Sequence, residues 1–266
     1  MSKPCLIIVG ADKGGVGKTT ISRTLLDYLE ANNVQLRAFD TESPRGALQR
    51  FHPDVTEVVD IGVVADQMRI FDTLDDSGTV TVIDVRAGLL SPTLKAMRDF
   101  GFMDAAKNGQ MKFVVFHILG SSIASLEEIA ETATFMSNAH YFLLKNHIND
   151  TSFFDWDKAT YDSYFKRIRD AVEINVPKLN EMSFEQVDLA SVPFAKFADN
   201  KTAGGDQANY SFVLRGYVRH WLANVWAEYE RAELLSLIEA ETKTKRVAKM
   251  GVPQENGSKA QKSASR

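Results

Sequence analysis

Between an apolar run at Cys5–Val9 and a helical stripe of Ile21, Leu25, Leu26 and Leu29 lies the stretch Lys13-Gly14-Gly15-Val16-Gly17-Lys18-Thr19-Thr20. A short, continuous apolar run is a strand buried on both faces, so the segment reads strand, loop, helix. Glycines let a loop wrap tightly enough for several backbone N–H groups to converge on one anion. The helix N-terminus that follows adds its own free N–H groups and dipole. In a Gly-Lys-Thr loop so placed, the Lys18 ammonium would bridge the β- and γ-phosphates of a nucleotide, and the Thr19 hydroxyl would ligate Mg²⁺.

The same rhythm continues down the chain. Gln35–Asp40, Thr79–Asp84, Phe113–Leu119, His140–Asn146 and Glu173–Val176 read as strands. Leu94–Ala106, Ser122–Met136, Asp157–Ala171 and Phe184–Ala190 read as helices. A long helix starts near Ser211, with Val218, Leu222, Val225 and Tyr229 on one stripe. Alternation of this kind predicts an α/β fold: a doubly wound, mostly parallel sheet with helices on both faces, a long C-terminal helix and a basic tail. One domain is expected over residues 1–250 and a disordered tail over 251–266.

The loop departs from the common Gly-x-x-x-x-Gly-Lys-Thr pattern, since its first glycine position holds Asp12 and a second lysine, Lys13, precedes the glycine pair. Here the sequence resembles the deviant Walker A ATPases of the ParA/MinD family, P-loop NTPases with the signature Lys-Gly-Gly-x-Gly-Lys-Thr-Thr. The resemblance implies a cradle for ATP or ADP formed by Gly14, Gly15, Val16, Gly17, Lys18, Thr19 and Thr20. It also implies that Lys13 reaches the partner subunit's phosphates in a nucleotide-sandwich homodimer. The stretch Asp40-Thr41-Glu42-Ser43-Pro44 looks like the family's Asp-x-Asp-Pro element, with Asp40 near Mg²⁺ and Glu42 in place of the aspartate that positions water. The stretch Asp84-Val85-Arg86-Ala87-Gly88 resembles its Asp-x-Pro-Ala-Gly element, with Asp84 near the metal, Gly88 at the γ-phosphate and Arg86 in place of proline. Asn146 matches the asparagine that bonds the adenine, and Pro177 the position whose backbone flanks it. The implied activity is slow ATP hydrolysis stimulated by a partner protein, a switch that positions or partitions DNA or a protein assembly.

Composition narrows the alternatives. With 31 Lys and Arg against 35 Asp and Glu, a net charge of -4 leaves only a local basic patch (Lys201, Arg215, Arg219 and the tail) for non-specific DNA contact. The single cysteine, Cys5, excludes a disulfide framework and the four-thiolate cluster of reductase-type members. The five histidines include no HExxH and none pairs with Cys5 at ligand spacing, so metal binding through nitrogen or sulfur is not expected. No segment offers the roughly 18 apolar residues of a membrane span, and a soluble, cytoplasmic protein is expected. Trp221 and Trp226 read as packing residues. Two alternatives stay open: a nucleotide-dependent metabolic or assembly enzyme of the same fold, and a nucleotide-binding scaffold that no longer hydrolyses.

Overall fold

The apolar runs pair edge to edge as one parallel sheet. In this computed structural model, which describes residues 3–74, 78–136, 139–155, 157–165 and 171–238, the strands are β1 (Cys5–Gly10), β2 (Leu36–Asp40), β3 (Thr56–Val58), β4 (Val80–Asp84), β5 (Lys112–Ile118), β6 (His140–Asn146) and β7 (Val172–Val176). Their order across the sheet is β3-β2-β4-β1-β5-β6-β7, and each pairing is parallel. The helices are α1 (Lys18–Ala31), α2 (Ala47–Phe51), α3 (Val64–Phe71), α4 (Leu90–Asp99), α5 (Phe102–Lys107), α6 (Ile123–Phe135), α7 (Lys158–Phe165), α8 (Glu181–Ala190), α9 (Phe194–Ala198), α10 (Phe212–Arg231) and α11 (Leu234–Ile238).

Alternate residues of each central strand feed two separate cores, as the two-residue period of a strand requires. Cys5, Ile7 and Val9 of β1 pack with α1, α8, α9, α10 and α11 on one face. Leu6 and Ile8 pack with α3, α4, α5 and α6 on the other. Both faces are covered, so β1 is apolar and buried at every residue, and β4 is buried along its length as well. Because all strands run the same way, the loops after β1, β2, β4, β6 and β7 open on one edge of the sheet. That carboxyl edge is where an open α/β sheet binds ligands.

Several boundaries differ from the sequence reading. The helix expected over Leu94–Ala106 is two, α4 and α5, because Gly101 takes a left-handed φ of 85° and reverses the chain between them. α8 begins at Glu181 instead of Phe184, since the Asn180 side chain caps it by accepting from the Ser183 N–H at 3.0 Å. β3, α2 and α3 are too short or too irregular to show a period. Of the helix expected over Asp157–Ala171, residues 166–170 lie outside the described residues, as does the basic tail from Lys243 onward.

Candidate functional site

The Gly-rich loop leaves β1 at the centre of the sheet and turns into α1. Two of its glycines make that turn possible: Gly15 and Gly17 sit at φ 75° and 86°, where a side chain is strained. Gly17 has a second reason. A Cβ there would collide with the amide nitrogen of Asn146, which donates to the Val16 carbonyl at 2.9 Å and so ties the loop to the end of β6. Gly17→Ala is therefore expected to destabilise the fold by about 1–3 kcal/mol, read by chemical denaturation, with nucleotide affinity falling alongside.

A cleft of about 370 Å³ opens above the loop, lined by Gly14, Gly15, Gly17, Lys18, Thr19, Thr20, Asp40, Glu42, Asp84 and Arg86 among others. Three separate stretches of sequence thus meet there. The Thr19 hydroxyl donates to Asp84 Oδ2 at 3.0 Å. Burial pushes the Asp84 carboxyl up to about 7, the neighbouring Asp40 adds to the rise, and Thr19 and Lys18 oppose it. Asp40 and Asp84 are cross-strand partners at the ends of β2 and β4. Lys18 Nζ reaches the Lys13 carbonyl at 3.3 Å, a long bond that leaves the ammonium free to turn. Burial lowers the Lys18 pKa, against the pull of Asp84, Glu42 and Asp12. A hydroxyl and a carboxylate side by side form an all-oxygen donor pair, the kind that suits Mg²⁺.

Asp40 carries a load that strand periodicity does not show. Its Oδ1 accepts the Glu42 N–H at 2.9 Å, and its Oδ2 accepts those of Leu48 at 2.6 Å and Gln49 at 3.3 Å. The carboxylate therefore caps α2 and holds the loop before it. β2 ends at Asp40, so Glu42 lies in that loop, exposed. Thr41, between them, binds the loops after β2 and β4 together: its hydroxyl donates to the Asp84 carbonyl at 3.2 Å and accepts the Arg86 N–H at 2.8 Å.

A second cleft of about 260 Å³ adjoins the first at Thr20, which lines both. Asn146, Ile148, Pro177, Phe184 and Trp221 are among its walls. Asn146 and Pro177 thus come together, 31 residues apart in sequence, through the pairing of β6 with β7. The Pro177 carbonyl accepts from the Trp221 indole at 2.6 Å. Lys13 is exposed and lines neither cleft; it borders a recess of about 50 Å³ on the other side of the loop, with Val16, Ser121, Asn149 and Thr151. Gly88, at φ 81°, falls outside the lining of all three.

No protein-family model and no curated protein matches the sequence. Solved structures do. The septum site-determining protein MinD complexed with Mg-ADP, from Pyrococcus horikoshii OT3, is similar over 91% of this chain and 100% of its own, with a TM-score of 0.53 and 14% identity. The fold is that of MinD. The MinD cell division protein of Aquifex aeolicus is also similar, over 82% of this chain and 97% of its own (TM-score 0.49, 10% identity). So is a ParA family ATPase from Chlorobium tepidum TLS, over 84% and 98% (TM-score 0.48, 12% identity).

Within this MinD-like fold, sequence reasoning missed three residues of the site. Thr41 shows no signal beyond its place between two acids. Trp221 lies on the apolar stripe of α10 and reads as core, yet its edge walls the second cleft. Asp12, noted only as a departure from the common motif, anchors the loop to α4: its carboxylate accepts both the Ser91 hydroxyl and the Ser91 N–H, the latter at 3.1 Å. Burial raises the Asp12 pKa, but these hydrogen bonds outweigh it and hold the group below the usual carboxylate value. The basic patch is weaker than its composition. Arg219 spends its guanidinium on the Ala198 carbonyl at 2.7 Å, and Arg215 leans on the Phe212 ring.

Proposed function

We propose that this chain is an ATP-dependent switch: it binds Mg·ATP, dimerises as a nucleotide sandwich, hydrolyses slowly and resets. The observation that carries this reading is the pair of clefts joined at Thr20, one rich in N–H donors and oxygen ligands, the other apolar with the Asn146 amide at its edge. That pairing suits a triphosphate at one end and a base at the other. Thr19 and Asp84 would hold Mg²⁺, which when bound screens the phosphate charge. The loop N–H groups and Lys18 bind and orient the phosphates. Asp40 fixes the loop that carries Glu42, and Glu42, exposed at the cleft, is the group we assign to placing the attacking water. Asn146 is assigned to the adenine, with the Pro177 backbone beside it.

Lys13 supports the dimer. It stands outside its own subunit's phosphate cleft, on the exposed side of the loop, where a basic side chain serves a second molecule better than its own. Lys13→Ala should bind Mg·ATP within about threefold of wild type yet stay monomeric, because binding loses no contact while the interface loses a charge-assisted one. Light scattering with a non-hydrolysable ATP analogue reads this. Dimers of the variant at wild-type concentration would remove the role.

The wider role we propose is positioning of DNA or a protein assembly, with a partner protein that speeds hydrolysis and a cytoplasmic location. Turnover of Mg·ATP, measured alone, with DNA at low salt and with candidate partners, tests it. Slow basal turnover that DNA or a partner raises supports the switch. Bound ATP with no turnover under any condition would leave a scaffold, and turnover that needs a small-molecule co-substrate would leave a metabolic enzyme.

A further inference from the structure

Toward the C-terminal end of α1, away from the phosphate cleft, three potential metal ligands converge. Asp27 and Glu30 come from α1, and His52 is the residue that ends α2. One ligand atom from each lies within 4.8 Å of the other two. His52 Nε2 stands 4.0 Å from Asp27 Oδ1, and His52 Nδ1 stands 3.9 Å from Glu30 Oε1. The Asp27 and His52 side chains are 0% and 1% exposed. Neither Asp27 Oδ1 nor His52 Nε2 has a hydrogen-bond partner.

Two buried, unpartnered polar atoms aimed at each other are costly, and at 4.0 Å they are too far apart to satisfy one another. We infer that Asp27, Glu30 and His52 form a binding site for a divalent transition-metal ion of the Zn²⁺ class. Donors around a tetrahedral Zn²⁺ lie about 3.3 Å apart, given bonds of about 2.0–2.1 Å. The two carboxylates face different ring nitrogens of His52, only one of which would ligate. The set must therefore close from as much as 4.8 Å, a shift of about 1 Å per ligand with a turn of the imidazole. One imidazole with two carboxylates suits Zn²⁺ or Co²⁺, whereas Mg²⁺ takes oxygen ligands and keeps its waters. The ligands are also oriented. Asp27 Oδ2 accepts the Ala195 N–H at 3.2 Å, which turns Oδ1 toward the site, as outer contacts do in metal centres. An entry path exists: Asp27 and Glu30 line an open cleft of about 460 Å³. The nearby Arg23 guanidinium is stacked between the Phe51 and Phe194 rings, 3.4 and 3.9 Å from their centroids, and donates to the Val192 carbonyl at 3.5 Å.

This site differs from the expectation drawn from histidine spacing. The acids near His52 in sequence, Asp54 and Glu57, are not among the three grouped residues; the packing of α2 on α1 supplies Asp27 and Glu30 instead. An ion there would clamp the end of α2 to α1 about 13 Å along α1 from Lys18, and the start of α2 is the end that Asp40 caps. Metal at this site would therefore stiffen the loop that carries Glu42.

The test uses the full chain, stripped with a chelator and kept free of nucleotide. Titration with Zn²⁺ should show one equivalent bound and a raised melting temperature, and Co²⁺ should give the visible absorption of a low-coordinate site. Glu30→Ala and His52→Ala should each weaken binding at least about tenfold, whereas Asp84→Asn, which alters the nucleotide cleft, should leave the stoichiometry at one. Glu30 is exposed, so its variant folds and decides the matter even where His52→Ala does not. Binding unchanged in Glu30→Ala, binding lost only in Asp84→Asn, or no Zn²⁺ bound at all would each overturn the site.

Discussion

Lys18→Ala should lower Mg·ATP affinity by about a hundredfold or more while leaving the fold intact. The Lys18 ammonium is half-buried, and the hydrogen bond it makes among the described residues is the long one to the Lys13 carbonyl. Binding would exchange that contact for charge-assisted bonds to phosphate, each worth about 1.5–3 kcal/mol, and two of them correspond to roughly two to four decades in affinity. Little stability goes with the side chain, since it belongs to neither apolar core. The stability of the free protein should change by an amount typical of a surface substitution, within about 0.5 kcal/mol. Burial lowers the Lys18 pKa, and Asp84, Glu42 and Asp12 oppose this, so the ammonium is held by the acids around it. Calorimetric titration with Mg·ATP, paired with thermal unfolding, reads both quantities. Affinity within a few-fold of wild type in a folded Lys18→Ala protein would remove the loop from the nucleotide site.

What the sequence revealed and what it concealed divide along a physical line. The loop was legible because its chemistry is contiguous: Gly15, Gly17, Lys18 and Thr19 act from one turn of chain, between a wholly apolar strand and a helix with a plain stripe. β4, β5 and β6 were legible as short runs rich in β-branched and aromatic residues, with their polar residues mostly at the ends. β3 was not, being a three-residue edge strand whose Glu57 faces solvent. The break between α4 and α5 rests on one positive φ at Gly101, which a helical apolar period does not register. The second cleft was half legible. Asn146 ends β6 and Pro177 follows β7, so both could be placed at the carboxyl edge, but its Trp221 wall depends on how α10 packs across α8. The role of Asp40 was hidden most deeply. The chain leaves β2 at Asp40 and folds back so that Leu48 and Gln49 donate to its carboxylate. Long-range chain reversal of that kind leaves no periodic trace.

Asp84→Asn should produce a protein that is more stable without ligand and poorer at binding Mg·nucleotide. Asp84 is buried beside Asp40, and its carboxyl is pushed up to about 7, by burial first and by the Asp40 charge second. In the unfolded chain the same group titrates near 3.9, as aspartates do. The folded state therefore holds the extra proton between roughly pH 4 and 7, and its stabilising contribution is complete below that window and lost as pH rises through it. Wild-type protein should accordingly gain stability as pH falls from 8 to 6, to the extent that this one group governs the slope. Asparagine keeps an oxygen that can accept the Thr19 hydroxyl and removes the charge. At pH 8 the variant should exceed wild type by about 1–3 kcal/mol, the scale of an uncompensated buried charge, and the difference should shrink steadily as pH falls toward 4. A cation held by Thr19 and Asp84 would reverse the balance, because the carboxylate then meets a positive charge and is needed ionised. The Mg²⁺-dependent part of nucleotide affinity should thus fall about tenfold or more in Asp84→Asn, while the Mg²⁺-independent part stays. Thermal unfolding at pH 5.5 and 8, with nucleotide titrations in Mg²⁺ and in chelator, checks the two halves separately. An Asp84→Asn protein less stable than wild type at both pH values would mean that the carboxylate supports the fold, and the case for a charge kept in reserve for a cation would fail.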